Sequence, residues 1–180
     1  MYEVEIKVRA DHAVVRNHLH GLEAIPGGTV RQVDTYYDAP HRDFAETDEA
    51  VRVREEVTEH DESTAITYKG PLIDDTSKSR EEHQTRVQDR DAIEGILEGL
   101  GFEPAASVEK ERELFDLNGY TVALDTVDGL GEFVEVETET PDDDIADARD
   151  GARAVLTSLG LDPDSGIRTS YLGLLLEDDT

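Results

Sequence analysis

A chain of 180 residues with 44 acidic and 17 basic side chains, and so a formal charge of -27, is long enough to bury the core of one domain. The negative excess runs along the whole sequence, which excludes nucleic acid as a partner and suits a protein kept soluble in concentrated salt. There is no cysteine, so disulfides and thiolate metal sites are excluded, and no stretch approaches the roughly 18 apolar residues of a membrane span. With no apolar run ahead of the first strand, a cytoplasmic location and no membrane partner are expected.

The first ten residues, "MYEVEIKVRA", place Glu3, Glu5, Lys7 and Arg9 on one side of a strand and Val4, Ile6 and Val8 on the other. Asp11 predicts the cap of a helix reaching about Leu22, with Val14, Val15, Leu19 and Leu22 apolar, and Gly27-Gly28 predicts a break. "VRQVDTYYDAP" reads as a strand ending at Pro40. "EAVRVREEV" alternates Val51 and Val53 with Arg52 and Arg54, and "TAITYKGP" alternates Ile66 and Tyr68 with Thr67 and Lys69. "LIDDTSKS" is a loop, and "SREEHQTRV" a strand with Arg80, Glu82, Gln84 and Arg86 in phase.

A second helix is predicted from about Asp91 to Leu100 and stopped by Gly101. "SVEKERELFDL" and "YTVALDTVDGLG" form a hairpin turning at Asn118-Gly119. "EFVEVETET" then shows Glu135, Glu137 and Glu139 against Val134 and Val136. A third helix, about Ile145 to Leu159, follows the run Asp142 to Asp144, which suits its cap, and "SYLGLLLE" closes the sequence as a short apolar helix. Many strands with few helices predict an antiparallel α+β domain spanning 1–180. The histidines show no ligand spacing and are expected at the surface; His83 is out of phase with Arg80 and Glu82. Gly129 and Gly131 suit a tight turn better than a phosphate-cradling loop.

Only four lysines are present. Lys7, Lys69 and Lys110 fall on charged strand faces and Lys78 just before one, in phase with Arg9, Arg52, Arg54, Arg80 and Arg112. If the strands close into a sheet with helices outside, these faces line a polar tunnel, and so many confined cations need a polyanion. A phosphate chain satisfies them, arginine offering bidentate forks and lysine point charges. Glu3 with Glu5, and Glu135 with Glu137, project as pairs with origins about 7 Å apart. Carboxylates without His or Cys are hard oxygen donors suited to Mg2+ or Mn2+ shared with phosphates.

With "EVEIK" at 3–7, "QVDTYYDAP" at 32–40, "AVRVR" at 50–54, "TYKGP" at 67–71, "KSREE" at 78–82, "VEKER" at 108–112, "LDTVDGLGEFVEVE" at 124–137 and "SYLGLL" at 170–175, the chain resembles the CYTH superfamily of triphosphate tunnel metalloenzymes, in particular its class IV adenylyl cyclase branch. The resemblance implies an eight-stranded antiparallel β-barrel with flanking helices, working on ATP or another triphosphate with Mg2+ or Mn2+. By its motifs, Lys7, Arg9, Arg52, Arg54, Lys69, Arg80, Lys110 and Arg112 would bind the triphosphate. Glu3, Glu5, Asp125, Glu135 and Glu137 would bind metal, and Glu3, Glu5, Lys7 and Glu82 would take part in catalysis. Some triphosphatase relatives carry a basic residue near the C-terminus, whereas "RTSYLGLLLE" offers only Arg168 and then Ser170 and Tyr171, a departure from the thiamine triphosphatase branch. Homodimers are common in the family, and no interface is marked in the sequence.

Three readings follow. A cyclase would turn ATP into cyclic AMP and pyrophosphate. A triphosphatase would hydrolyse tripolyphosphate, a nucleoside triphosphate or thiamine triphosphate. A non-catalytic module would bind polyphosphate or nucleotide without turnover.

Overall fold

The computed structural model describes residues 1–73 and 77–178. In chain order the elements are β1 (Tyr2–Arg9), α1 (His12–Gly21), β2 (Ile25–Asp38), α2 (Phe44–Thr47), β3 (Ala50–Val57), β4 (Glu62–Lys69), β5 (Lys78–Val87), α3 (Arg90–Gly99), β6 (Glu103–Leu117), β7 (Tyr120–Val127), β8 (Gly131–Thr140), α4 (Ile145–Ser158) and α5 (Tyr171–Asp178). The strands close into one barrel in the order β1-β5-β4-β3-β2-β6-β7-β8, every pair antiparallel. Closure leaves no open sheet edge, so all backbone ladders are internal.

The alternation in the strands now has a physical meaning. Ile6, Val8, Phe115, Val122, Leu124, Val134 and Val136 point outward and are sealed by Val15 and Leu19 of α1 and Ala152, Val155 and Leu156 of α4. On another side, Tyr37 and Val53 pack against Leu97 of α3, with Ile66 and Ile93 beside them. The apolar face of each strand therefore drives the helices onto the outside, by about 25 cal/mol per Å² removed from water. The charged face has only the lumen left to occupy.

Local chemistry sets several boundaries. Asp11 caps α1 by accepting from the N–H groups of Ala13 and Val14, and Asp89 caps α3 through Ala92. The hairpin between β6 and β7 turns at Asn118 and Gly119, both at positive φ (55° and 82°), as a tight primed turn requires. Gly129 and Gly131 also sit at positive φ in the β7–β8 turn.

Some expectations are corrected. Gly27-Gly28 does not break the chain: β2 runs through it, and the glycines absorb a register shift against β6 between Pro26 and Gly28. Val14 and Leu22 of the first helix are 52% and 41% exposed, because only Val15 and Leu19 lie over the barrel. Asp144 stands at the N-cap of α4 without a side-chain capping bond; a single 3-10 turn over Asp142–Asp144 leads in instead. His12 is buried, its Nε2 against the carbonyl of Phe133, whereas His18, His20 and His83 are exposed. Part of the "LIDDTSKS" loop, 74–76, lies outside the described residues. Among the described residues no helix is long and apolar enough to cross a membrane.

Candidate active site in the barrel lumen

A cavity of about 1200 Å³ occupies the lumen. Lys7, Arg52, Arg54, Lys69, Arg80, Lys110 and Arg112 line it. So do Glu3, Glu5, Glu82, Glu135 and Glu137, together with the apolar side chains of Phe44, Val51, Leu172 and Leu176. Strand phase and barrel closure together bring twelve of the fourteen expected residues to one space.

The two E-x-E strands are neighbours, and their register sets Glu5 directly opposite Glu137. Glu3, Glu5 and Glu137 consequently gather with a carboxylate oxygen of each within 4.8 Å of the others. Burial pushes the Glu137 carboxyl up to about 8, with Glu3, Glu135 and Glu5 adding to the effect and Arg112 only partly offsetting it. Three hard oxygen donors that repel one another fit a divalent cation such as Mg2+ or Mn2+, which would replace a shared proton with two positive charges.

Other expected ligands are engaged elsewhere. Arg112 donates from Nε and Nη2 to the two oxygens of Asp125 at 2.7 Å each, and from Nη2 to Glu135 at 2.6 Å. Burial opposes the charge of Glu135, yet Arg112, Lys110 and Lys7 outweigh it and hold its carboxyl well below the usual range. Asp125 is fully buried and does not line the cavity, so it buttresses an arginine and is not brought to the carboxylate cluster. Arg9 is not in the lumen either: it is exposed near the end of β1, bonded to the carbonyl of Leu130 and lying over the ring of Phe133.

Across the lumen, Lys69 bridges Glu3 at 2.6 Å and Glu82 at 3.1 Å. Burial disfavours the Lys69 ammonium, but Glu3 and Glu82 more than compensate and its pKa is raised. Arg54 forms a fork on Asp34, 2.7 Å for both bonds. Burial would raise the Asp34 carboxyl, and Arg52 and Arg54 instead hold it far below its ordinary value.

The remaining cations are poorly neutralised. Among the described residues the one carboxylate that Arg52 reaches is Asp34, at 3.7 Å, and the Nε of Arg52 and of Arg80 have no hydrogen-bond partner, while Arg80 meets the exposed Asp48 at 3.6 Å and its carbonyl at 3.2 Å. Lys7 is 2% exposed with no carboxylate within 4.0 Å among the described residues. Burial, with neighbouring cations, pushes Lys78 and Lys110 each down to about 8. A lumen so arranged holds buried positive charge that its own carboxylates leave incompletely neutralised.

Three contributors stand outside the residues expected to bind triphosphate or metal. Asp34 shares the phase of Gln32 and Tyr36 in β2, so alternation gives its position, while its role as an arginine holder depends on the register that sets it opposite Arg54. Lys78, expected just before a strand, is the first residue of β5 and in phase with Arg80. Tyr171 enters the lumen from a helix, where no strand alternation could announce it.

The sequence pattern of the CYTH domain matches residues 1–171. A protein of Methanocaldococcus jannaschii that carries the provisional name adenylate cyclase is 35% identical over 178 residues, covering 97% of this chain and 98% of its own length. The structure of the PH1819 protein of Pyrococcus horikoshii superposes with a TM-score of 0.89 at 37% identity, over 98% of this chain and 99% of that one. A Hippeastrum protein, provisionally named an adenylyl cyclase and described as having a dominant triphosphatase activity, shares the fold with a TM-score of 0.63 at 18% identity, over 88% of each chain.

Proposed function

The chain belongs to the CYTH domain family, and from that premise we propose that it is a metal-dependent enzyme that takes ATP into the barrel and converts it to cyclic AMP and pyrophosphate. The observation that carries the reading is the coexistence, in one closed lumen, of under-neutralised buried cations and a three-carboxylate cluster. The name of the relative from Methanocaldococcus supports cyclisation.

In this reading Lys7, Arg52, Arg80 and Lys110 hold the phosphate chain, since these side chains have charge left over for it. Arg112 and Arg54 are fixed by Asp125 and Asp34 and present their remaining N–H groups at constant positions, which is preorganisation of the kind that lowers a barrier for charge development. Glu3, Glu5 and Glu137 would hold Mg2+ or Mn2+. When bound, such an ion supplies neutralisation of phosphate oxygens and Lewis acidity toward the attacking oxygen. The Lys69 bridge orients Glu3 and Glu82, and the apolar wall of Phe44, Val51, Leu172 and Leu176 suits the nucleoside. The ribose 3′-oxygen then forms the bond to the α-phosphorus as its proton passes to solvent, the bond from that phosphorus to the α–β bridging oxygen breaks, and pyrophosphate leaves, held by the same cations.

The second reading is hydrolysis at the terminal phosphorus, favoured by the triphosphatase activity described for the Hippeastrum protein. The two differ in which phosphorus lies opposite the nucleophile. Chromatographic product analysis decides between them, with purified protein in concentrated KCl, Mg2+ or Mn2+, and ATP or tripolyphosphate. Cyclic AMP with pyrophosphate is the expected result. Orthophosphate without cyclic nucleotide assigns hydrolysis, and polyphosphate binding without any product assigns a binding module.

A further inference from the structure

Tyr171 opens α5, yet its side chain ends among the lumen cations. The Lys7 ammonium lies 4.2 Å from the centre of its ring and that of Lys110 lies 4.9 Å from it. Its hydroxyl donates to Asp125 Oδ2 at 2.7 Å, the oxygen that also accepts from Arg112. One phenol is therefore in contact with two lysines and, through Asp125, with an arginine. The ring is seated edge-on against Phe133, 5.0 Å between centroids, and packs with Val108 and Val127.

We propose that Tyr171 is a positioning residue for polyphosphate: its ring holds Lys7 and Lys110 in place without neutralising them, so that their charge stays available to the ligand. The inference rests on the triphosphate reading of the lumen. Its physical basis is the difference between the two ways of holding a buried ammonium. A carboxylate at 2.7 Å pins the group but cancels the charge that a phosphate oxygen would use, and must be displaced or left to repel the ligand. An aromatic face attracts the ammonium through its quadrupole and carries no net charge, so an arriving anion adds to the interaction instead of competing with it. Lys69, closed on Glu3 and Glu82, shows the first mode in the same lumen; Lys7 shows the second, and Lys110 leans to it, its Asp125 carboxylate standing 3.9 Å off, beyond hydrogen-bond reach. Burial, together with Glu135 and Asp125, holds the phenol well above its ordinary pKa, so the ring remains neutral and its hydroxyl remains a donor.

The test compares Tyr171→Phe, which keeps the ring and loses the hydroxyl, with Tyr171→Leu, which loses both. With only four lysines in the chain, a protein carrying 13C-labelled lysine gives a spectrum in which each ε-methylene can be followed. Two of the four are expected upfield from the ring current in the native protein and in Tyr171→Phe, and at ordinary positions in Tyr171→Leu. Tripolyphosphate affinity, titrated without metal, is expected to fall roughly tenfold in Tyr171→Leu and by no more than about threefold in Tyr171→Phe. Mn2+ affinity is expected to stay unchanged in both. The proposal is overturned if Tyr171→Leu binds tripolyphosphate as tightly as the native protein, if the phenylalanine variant loses as much as the leucine one, or if Mn2+ affinity collapses in parallel, which would mean general unfolding. If the native spectrum shows both shifted lysines but no tripolyphosphate binds, the enzymatic reading fails while the ring's hold on the lysines stands.

Discussion

Arg112 lays its Nε and Nη2 on the two carboxylate oxygens of Asp125, 2.7 Å away in each case, with both side chains buried. A carboxylate so occupied, and accepting from Tyr171 as well, has little capacity for a metal ion. Asp125→Asn is therefore expected to leave Mn2+ affinity at the Glu3, Glu5 and Glu137 cluster unchanged. It should lower stability by about 3 kcal/mol or more, since Arg112 would lose half of a buried pair. Thermal melting and a Mn2+ titration on the same variant separate the two effects; weakened metal binding in a folded variant would return Asp125 to the ligand set.

Glu135 and Glu137 are two residues apart on one strand face, but they are not equivalent. Glu137 belongs to the metal cluster, whereas Glu135 is the second anchor of Arg112. Both Glu135→Gln and Glu137→Gln are expected to abolish metal-dependent turnover in a folded protein, for different reasons. Glu137→Gln should lose Mn2+ affinity and keep tripolyphosphate affinity, and Glu135→Gln the reverse. Identical binding profiles for the two variants would contradict this division.

Arg52 and Arg54 make a similar contrast. Arg54 forms the fork on Asp34, while Arg52 stands 3.7 Å away with an unpartnered Nε. Arg52→Ala is expected to weaken triphosphate binding by at least about tenfold, the worth of one charge-assisted hydrogen bond, with little change in melting temperature. Arg54→Ala should weaken binding too and also destabilise the fold, because Asp34 would remain buried with only the distant Arg52. Calorimetric titration and thermal melts measure both. Full affinity in Arg52→Ala would remove it from the phosphate site.

The contents of the lumen were legible because a strand's period of two is a simple rule: once Val4, Ile6 and Val8 are assigned to the outside, Glu3, Glu5 and Lys7 have one remaining direction. Arg9 obeys the same phase and still misses the cavity, since phase gives the face and says nothing of depth along the barrel. The grouping of Glu3 and Glu5 with Glu137 instead of Asp125 depended on the β1–β8 register and on which carboxylates arginine had already taken, and both are tertiary facts. Gly27-Gly28 misled because a glycine pair serves a bulge as readily as a turn, and the difference lies in the partner strand. Tyr171 was hidden for the opposite reason: a residue at the head of an apolar helix gives no sign that it will dock among charges.

Lys78 and Lys110 supply the pH dependence. Burial pushes each down to about 8; for Lys78 the cations Lys7, Lys69 and Arg80 add to this against Glu5, and for Lys110 Arg112 and Arg54 add to it against Asp125 and Glu135. Between about pH 8 and the ordinary lysine value near 10.4 the folded protein thus binds fewer protons than the unfolded chain. The contribution of these two groups to stability is fully present above the ordinary value and is lost as pH falls through about 8. A polyphosphate reverses the balance by favouring the ammonium forms, so its binding in that window must be accompanied by proton uptake. Calorimetric titration of tripolyphosphate at pH 8.5, taken as about half a unit above the depressed lysines, is expected to give an apparent enthalpy that depends on the ionisation enthalpy of the buffer. The dependence should shrink in Lys110→Arg, whose guanidinium keeps its charge throughout. Equal enthalpies in all buffers for the native protein would mean that these lysines are already charged in the free lumen, and that the polyanion meets them without a change of protonation.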